Sequence, residues 1–391
     1  SLAVHKDGAP RYKRESRRPA YLDNIETSFS MNALEKAKNN QDDLVCLFQK
    51  VLSDINIASR KAIYEQYDTD IGIMRIIGPG QNAGVYEIPK SETEGSQQAM
   101  AVTVDGNGYY VAIEPFVGAM HTVAESYRNL SSSGAEPIGI TNCLNFANPY
   151  KPENYYFFEM AVKGMSKAAE MFQIPITGGN VSFYNESEDG PVLPTPTIGM
   201  VGLLENKEDA IPARAPEESV IYRIGFFQPE LSCSRYRQIV SGFVKFGEDK
   251  TPQLPALDIH LEKKVASWIR EKKKIISGCI DISGGGSFVA LAKLFFAEYE
   301  ASSAFASCEL DPNFVINDLN FFGESACSYL IAIAKEKESQ AITALEEKKI
   351  PYEKIAITGN KEKEAQLKIL DYSLLWKDLY QAFDNGLSRY F

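Results

Sequence analysis

The sequence predicts an α+β fold in two domains, and three observations carry that expectation. Its 391 residues exceed what a single hydrophobic core comfortably serves. Strand-like and helix-like runs mix without a strict alternation, which speaks against a doubly wound parallel sheet. A segment rich in charge and proline, Glu205–Glu218, breaks the apolar patterning and reads as the domain boundary. The expected division is an arm with leading helices over 1–60, a first domain over 61–206 and a second over 214–391.

Taken in order, residues 1–30 read as a solvated arm, with Arg11, Lys13, Arg14, Arg17 and Arg18 crowded around prolines. Helices are expected over 32–40 and 42–53, the second showing Leu44, Leu47, Phe48 and Val51 on one face. Short extended runs follow at Ile73–Ile77, Gly84–Ile88, Ala99–Val104 and Tyr109–Ile113. A helix over Gly118–Ser132 should end at a left-handed Gly134. Ile138–Thr141 reads as a strand entering a polar loop, and 153–172 as an amphipathic helix. Ile174–Thr177 and Thr197–Leu204 complete the strands of the first domain.

Beyond the boundary, Ser219–Phe227 reads as a strand and Leu257–Arg270 as a helix with Leu261, Val265, Trp268 and Ile269 inward. Ile280–Ser287 is a strand and glycine loop entering the helix Phe288–Phe296. Cys327–Ile333 is another strand, and Ser339–Lys348 another helix.

Composition narrows the function classes. With 44% hydrophobic and 24% charged residues the chain has the make-up of a soluble globular protein. A net charge of −11 argues against a general nucleic-acid surface, and the apolar runs are too short to span a membrane. Six cysteines lie scattered without a CxxC pair, so neither zinc nor a disulfide framework is expected, and a reducing cytoplasm is. The sequence opens abruptly and without a leader pattern, as part of something longer would.

The chemistry concentrates between Met100 and Glu186. Asp105-Gly-Asn-Gly108 and Thr177-Gly-Gly-Asn-Val-Ser182 each follow an apolar run, with Asn142, Asn145 and Asn148 in an amide-rich loop between them. Glycines let a backbone approach phosphate oxygens, and Asp and Asn oxygens suit Mg²⁺. Together the loops suggest a nucleotide–Mg²⁺ site. Each has a plainer reading: a hairpin turn at Asp105, favoured on local sequence, a capped tight turn at Asn180, and Asx turns around Asn142. Gly284-Gly285-Gly286 reads as a close-packing turn, Glu324-Ser325 as an ordinary loop pair, and Arg128 as a solvated helix position. Of the histidines, His5 lies in the arm, His260 in an amphipathic helix, and His121 at a helix start, where a structural role is preferred. No nucleophile elbow or triad is present.

The order of these segments is more specific than any one of them. Asn56-Ile-Ala-Ser59, Gln66-Tyr-Asp68, Gly78-Pro-Gly80, Asp105-Gly-Asn107, Arg128-Asn129, Ser133-Gly-Ala-Glu-Pro137, Cys143-Leu-Asn-Phe146, Gly178-Gly-Asn-Val-Ser182 and Pro194-Thr-Pro196 stand in one run. Looser matches follow at Ser234-Arg-Tyr236, Asp281-Ile-Ser283 and Glu324-Ser325. The chain thereby resembles phosphoribosylformylglycinamidine synthase, a synthetase built as a tandem pair of halves of the AIR synthetase type, and specifically its second half.

The resemblance implies an ATP- and Mg²⁺-dependent ligase that aminates formylglycinamide ribonucleotide with ammonia from a glutaminase. It implies nucleotide contact at Asn142, Gly179 and Asp105, a Mg²⁺ ligand in Asn180, and substrate contact at Ser182. Catalytic histidines belong to the other half, so none is expected here. The implied partners are the N-terminal half, the glutaminase subunit and a small accessory subunit, and an isolated half would self-associate as a dimer. Two departures stand out: Asn142 replaces a usual Asp, and Ile280 and Gly284 replace a usual His and Glu. Two other readings are a non-catalytic nucleotide-binding structural module and a free-standing AIR synthetase-like enzyme.

Overall fold

Two sheets, each built around a different core, organise the chain. The computed structural model describes residues 12–68, 75–90, 95–225, 227–362 and 364–391. His5, Arg11 and the start of the expected strand at Ile73 lie outside them. Helices α1 (Ala33–Ala37), α2 (Gln41–Leu52) and α3 (Lys61–Tyr64) lead. Strands β1 (Arg75–Ile77), β2 (Gly84–Glu87) and β3 (Ala99–Asp105) precede helices α4 (Gly108–Ile113) and α5 (Pro115–Ser132). Strand β4 (Glu136–Asn145), helix α6 (Pro152–Phe172) and strand β5 (Ile176–Ser182) come next. A small hairpin, β6 (Glu186–Ser187) and β7 (Gly190–Pro191), leads to β8 (Thr195–Leu204).

The second region begins with β9 (Ser219–Gly225), α7 (Arg235–Ser241), α8 (Ile259–Glu271), β10 (Gly278–Asp281) and α9 (Gly286–Ser302). It continues through β11 (Phe305–Leu310), α10 (Asp318–Phe322), β12 (Ser328–Ala334) and α11 (Glu338–Glu347). It closes with β13 (Tyr352–Glu362), β14 (Gln366–Ile369), β15 (Tyr372–Leu375) and α12 (Trp376–Ser388). Among the described residues, no helix is long and apolar enough to cross a membrane.

The first sheet runs β1-β2-β3-β8-β4-β5, antiparallel except for the parallel β4–β5 edge. Its strands β2, β3 and β8 alternate because only one face is covered. Ala99, Ala101, Ile140, Ile198 and Met200 pack under α5 and α6, while Val104 and Met100 on the other face are 72% and 39% exposed. Such alternation marks a sheet with one bare side. Gly164 of α6 allows close contact with α5, since a Cβ there would stand 2.1 Å from the Phe116 carbonyl oxygen.

The second sheet runs β10-β12-β9-β13-β11-β14-β15, and its β10, β12 and β9 strands are buried on both faces. The interior strand β9 shows no exposed residue: Ile221 faces one core and Val220, Tyr222 and Ile224 the other. The leading helices belong with this sheet, for Phe48 of α2 stacks on Phe288 of α9 at 4.1 Å. The mixed, non-alternating order of strands and helices is that of an α+β fold, as expected.

Several local expectations are corrected. Tyr109–Ile113 is helical rather than extended, because the Asn107 side chain accepts from Tyr110 N at 3.0 Å and caps a turn buried on all sides. The same cap removes the hairpin-turn reading of Asp105. Most described residues of the arm are exposed, as expected, but the arm is docked at points. Leu22 enters the core of the first sheet, Ile25 bridges Thr251, and the Arg18 guanidinium donates to Tyr156 Oη at 2.8 Å and Asp23 at 3.1 Å. The polar stretches through Asn142 and Gly178–Ser182 are strands rather than loops, since the β4–β5 ladder continues to Asn145↔Ser182.

Candidate functional site

The residues singled out in the sequence fall in two places. Asn142, Gly179, Asn180 and Ser182 lie together on the β4–β5 edge, paired as Asn142↔Gly179, Cys143↔Asn180 and Asn145↔Ser182. Strand β5 is the last of its sheet, and all seven of its residues are exposed. Gly179 leaves room for the Asn142 side chain, whose Oδ1 would stand 2.2 Å from a Cβ at that position, so the Asn142 amide lies directly over bare backbone. Asn180 Oδ1 accepts from Cys143 Sγ at 3.2 Å, and Ser182 Oγ lies 3.4 Å from Asn185 Oδ1. Asn148 stands outside this ladder, where it caps the bend before α6 by accepting from Tyr150 N.

Asp105 is in register with this edge but serves a different cavity. It pairs with Ile198 of β8, which pairs in turn with Asn142, placing the two side chains on one face about 10 Å apart. Its carboxylate accepts from Asn129 Nδ2 at 2.7 Å and Thr103 Oγ1 at 3.0 Å. It lines a cleft of about 380 Å³ between the two sheets, together with Gly78, Gly80, Glu125, Asp281 and Lys293. A second cavity of about 280 Å³, bounded by Ser59, Arg60 and Phe383, adjoins it at Gly80, Gln81 and Lys293.

The cleft is charged and poorly solvated, so its groups perturb one another. Burial pushes Glu125 up to about 8, with the charges of Asp105 and Asp281 adding to it. Burial likewise brings Asp105 up to about 6 and raises Asp281. Lys293 is held below the ordinary lysine range by burial, which the Asp281 charge opposes. Carboxylates of this kind accept from ribose hydroxyls, while a lysine and glycine-loop N–H groups suit phosphate. The cleft therefore has the size and donor–acceptor set of a nucleotide pocket.

Behind it, Glu324 accepts from Tyr110 Oη at 2.6 Å, Arg235 N at 2.6 Å and Gly285 N at 3.1 Å. It thus pins the glycine loop in which Gly285 and Gly286 both adopt positive φ. His121 is a core histidine: its Nε2 donates to the Pro255 carbonyl at 3.0 Å, and burial lowers it to about 4. His260 is exposed on α8.

Sequence reasoning missed much of this cleft. Arg128, read as a solvated position, is buried and paired with Glu262 at 2.9 Å. Glu324 is a buried hub rather than an ordinary loop residue. Lys293 is a lone charge within the apolar helical run Phe288–Ala297, which marks it as a candidate, whereas Glu125 stands among Ser126, Arg128 and Asn129 and gives no such signal. Among the described residues, no group of three or more His, Cys, Asp or Glu is arranged to hold a metal ion.

Comparison with known proteins agrees with this architecture. Residues 80–204, which span most of the first sheet, match the family described as AIR synthase related protein, N-terminal domain. The chain belongs to the AIR synthetase-like superfamily.

Its similarity to one member extends over nearly the whole chain. It is 36% identical over 392 residues to phosphoribosylformylglycinamidine synthase subunit PurL of Leptospira biflexa, covering 98% of this chain and 50% of that protein. It is 38% identical over 346 residues to PurL of Moorella thermoacetica, covering 88% and 44%. The chain spans about half the length of the curated relatives it matches. Among solved structures, T. maritima PurL complexed with FGAR superposes with a TM-score of 0.64 at 14% identity, over 90% of this chain and 56% of that one. That likeness is one of fold.

Proposed function

We propose that this chain acts as the C-terminal half of a phosphoribosylformylglycinamidine synthase, with domains at about 61–206 and 214–391. The reaction would join ammonia to formylglycinamide ribonucleotide. ATP transfers its γ-phosphoryl group to the amide oxygen, and ammonia displaces phosphate from the resulting iminophosphate to leave the amidine. The observation that carries the reading is the exposed β4–β5 edge. It presents Asn142, Gly179, Asn180 and Ser182 beside a sheet face that nothing in the described chain covers.

A bare apolar face next to polar, backbone-rich strands is what an interface with a second half requires. On docking, Gly179 would give its backbone to the nucleotide, Asn142 would reach the same ligand, and Ser182 would touch the substrate. Asn180 fits as one neutral oxygen ligand for Mg²⁺ and not as a whole site, so carboxylates and phosphates from elsewhere complete the shell. Mg²⁺, when bound, neutralises charge on the transferring phosphoryl group. Catalytic histidine chemistry comes from the other half; the glutaminase and accessory subunits complete ammonia supply.

The test is complementation. This chain and a matching N-terminal half are assayed for ATP- and ammonia-dependent amidine formation, singly and together. Activity is expected only in the mixture, with Asn180→Ala lowering kcat/KM about a hundredfold. Turnover by this chain alone would overturn the half-site reading and favour a free-standing enzyme.

The same bare face leads us to expect a dimer of the isolated chain in sedimentation velocity, dissociating when the other half is added. A monomer at high concentration counts against that interface. The cleft between the sheets favours a second reading, a nucleotide-holding structural module. Nucleotide that co-purifies with the chain and survives turnover of the mixture unchanged would support it.

A further inference from the structure

The β4–β5 edge is clasped at its end by one side chain. The last pair of the ladder is Asn145↔Ser182, and the Phe146 amide donates to the Ser182 carbonyl at 3.0 Å. Asn185 then turns back onto both strands. Its Nδ2 donates to the Ser182 carbonyl at 2.8 Å and to the Phe146 carbonyl at 3.0 Å, and its backbone N–H also donates to Phe146 O at 3.2 Å. Only the NH₂ end of an amide can face two carbonyl oxygens, so the side chain has one orientation, with Oδ1 toward the Ser182 hydroxyl.

Between Ser182 and Asn185 the backbone takes an unfavourable path. Phe183 turns inward onto Phe158, with ring centroids 5.0 Å apart, and Tyr184 adopts a φ of 65° with its side chain exposed. A positive φ is uncommon for a residue that carries a Cβ, and it persists only where the surroundings over-determine it. The Phe183 ring on one side and the Asn185 amide on the other do so here.

The consequence falls on Ser182. It is exposed at the end of an edge strand, where local opening costs least. Its hydroxyl stands 3.3 Å from Asn185 Nδ2 and 3.4 Å from Oδ1, both longer than a well-formed hydroxyl hydrogen bond. The clasp therefore holds the serine backbone and leaves its hydroxyl uncommitted. A group held in this way meets a ligand without first being ordered or released from another bond.

We infer, resting on the proposed substrate contact at Ser182, that Asn185 is a positioning residue: by tying the ends of β4 and β5 together it presents the Ser182 hydroxyl to the substrate. It acts through Ser182 alone and leaves Asn142 and Gly179, further back along the ladder, in place.

The experiment measures kinetics in the mixture of this chain with the N-terminal half, and amide hydrogen exchange by NMR in this chain. Asn185→Ala should raise KM for formylglycinamide ribonucleotide about tenfold, with kcat and the KM for ATP within about twofold of wild type, as loss of a uniform binding contact does. Added to Ser182→Ala it should change nothing further, because a positioning residue has no effect once the group it positions is gone. Asn185→Asp keeps the shape without the donors and should be at least as damaging as alanine. Exchange at the Phe146 amide should quicken about tenfold in Asn185→Ala, while the Ile140 amide, which donates to Pro175 O at 2.9 Å, keeps its rate. An unchanged KM, effects that multiply in the double variant, a KM for ATP that rises in step, wild-type kinetics in Asn185→Asp or unchanged exchange at Phe146 overturns the inference. If the wild-type mixture forms no amidine, the half-site reading falls, and exchange alone judges whether Asn185 holds Ser182: faster at Phe146 in Asn185→Ala supports it, and unchanged overturns it.

Discussion

Glu324→Ala is expected to cost the folded chain about 3–5 kcal/mol, more than most single substitutions. The carboxylate is 5% exposed and takes three donors: Tyr110 Oη on one oxygen, and the Arg235 and Gly285 amides on the other. Alanine leaves all three donors without a partner, and the small polar cavity beside them admits at most about one water. Glu324→Gln separates charge from connectivity. Its carbonyl oxygen still serves both backbone amides, and its NH₂ meets the tyrosine hydroxyl, which can accept instead of donate. Less than half of the alanine loss is expected. Equilibrium urea unfolding of the two variants measures the difference; an alanine cost near 1 kcal/mol or less would mean that Glu324 does not hold the glycine loop.

The second large effect is a dependence on pH. Folded Glu125 sits near 8 against an ordinary 4.5, so the folded state retains a proton that the unfolded chain has released. That stabilisation is fully present below pH 4.5 and is lost as pH rises through 8. Asp105, raised to about 6 from 3.8, acts in the same direction at lower pH. The two groups share their protons, so the combined loss between pH 5 and 8 is set at roughly 2–4 kcal/mol. Glu125→Gln keeps the shape and removes the titration. Its unfolding free energy should therefore fall much less steeply between pH 6 and 8 than that of the wild type. Parallel pH profiles for the two proteins would show that Glu125 ionises freely in the folded state.

Both predictions concern groups whose importance local pattern did not disclose. Arg128 sits in an ordinary helical stretch, and nothing in Ser126-Tyr-Arg-Asn129 tells a solvated arginine from one that meets Glu262 across a sheet boundary. The edge strand teaches the reverse lesson. Thr177-Gly-Gly-Asn180 has the composition of a turn, yet it is a strand because β4 supplies a ladder for it. Its glycines beside amide side chains leave backbone open on the strand's surface.

Local sequence carried the α+β class, the helices α2, α6 and α8 with their buried faces, the helix α5, and its left-handed stop at Gly134. All of these are written in neighbouring residues, through 3.6-residue periodicity, proline and glycine. Only the tertiary structure decided that Asp105, Glu125, Asp281 and Lys293 share one cleft, that Glu324 pins its glycine loop, and that one face of the first sheet stays bare. Those facts depend on contacts between segments far apart in the chain, where burial and mutual charge set what each group does, and no local period records them.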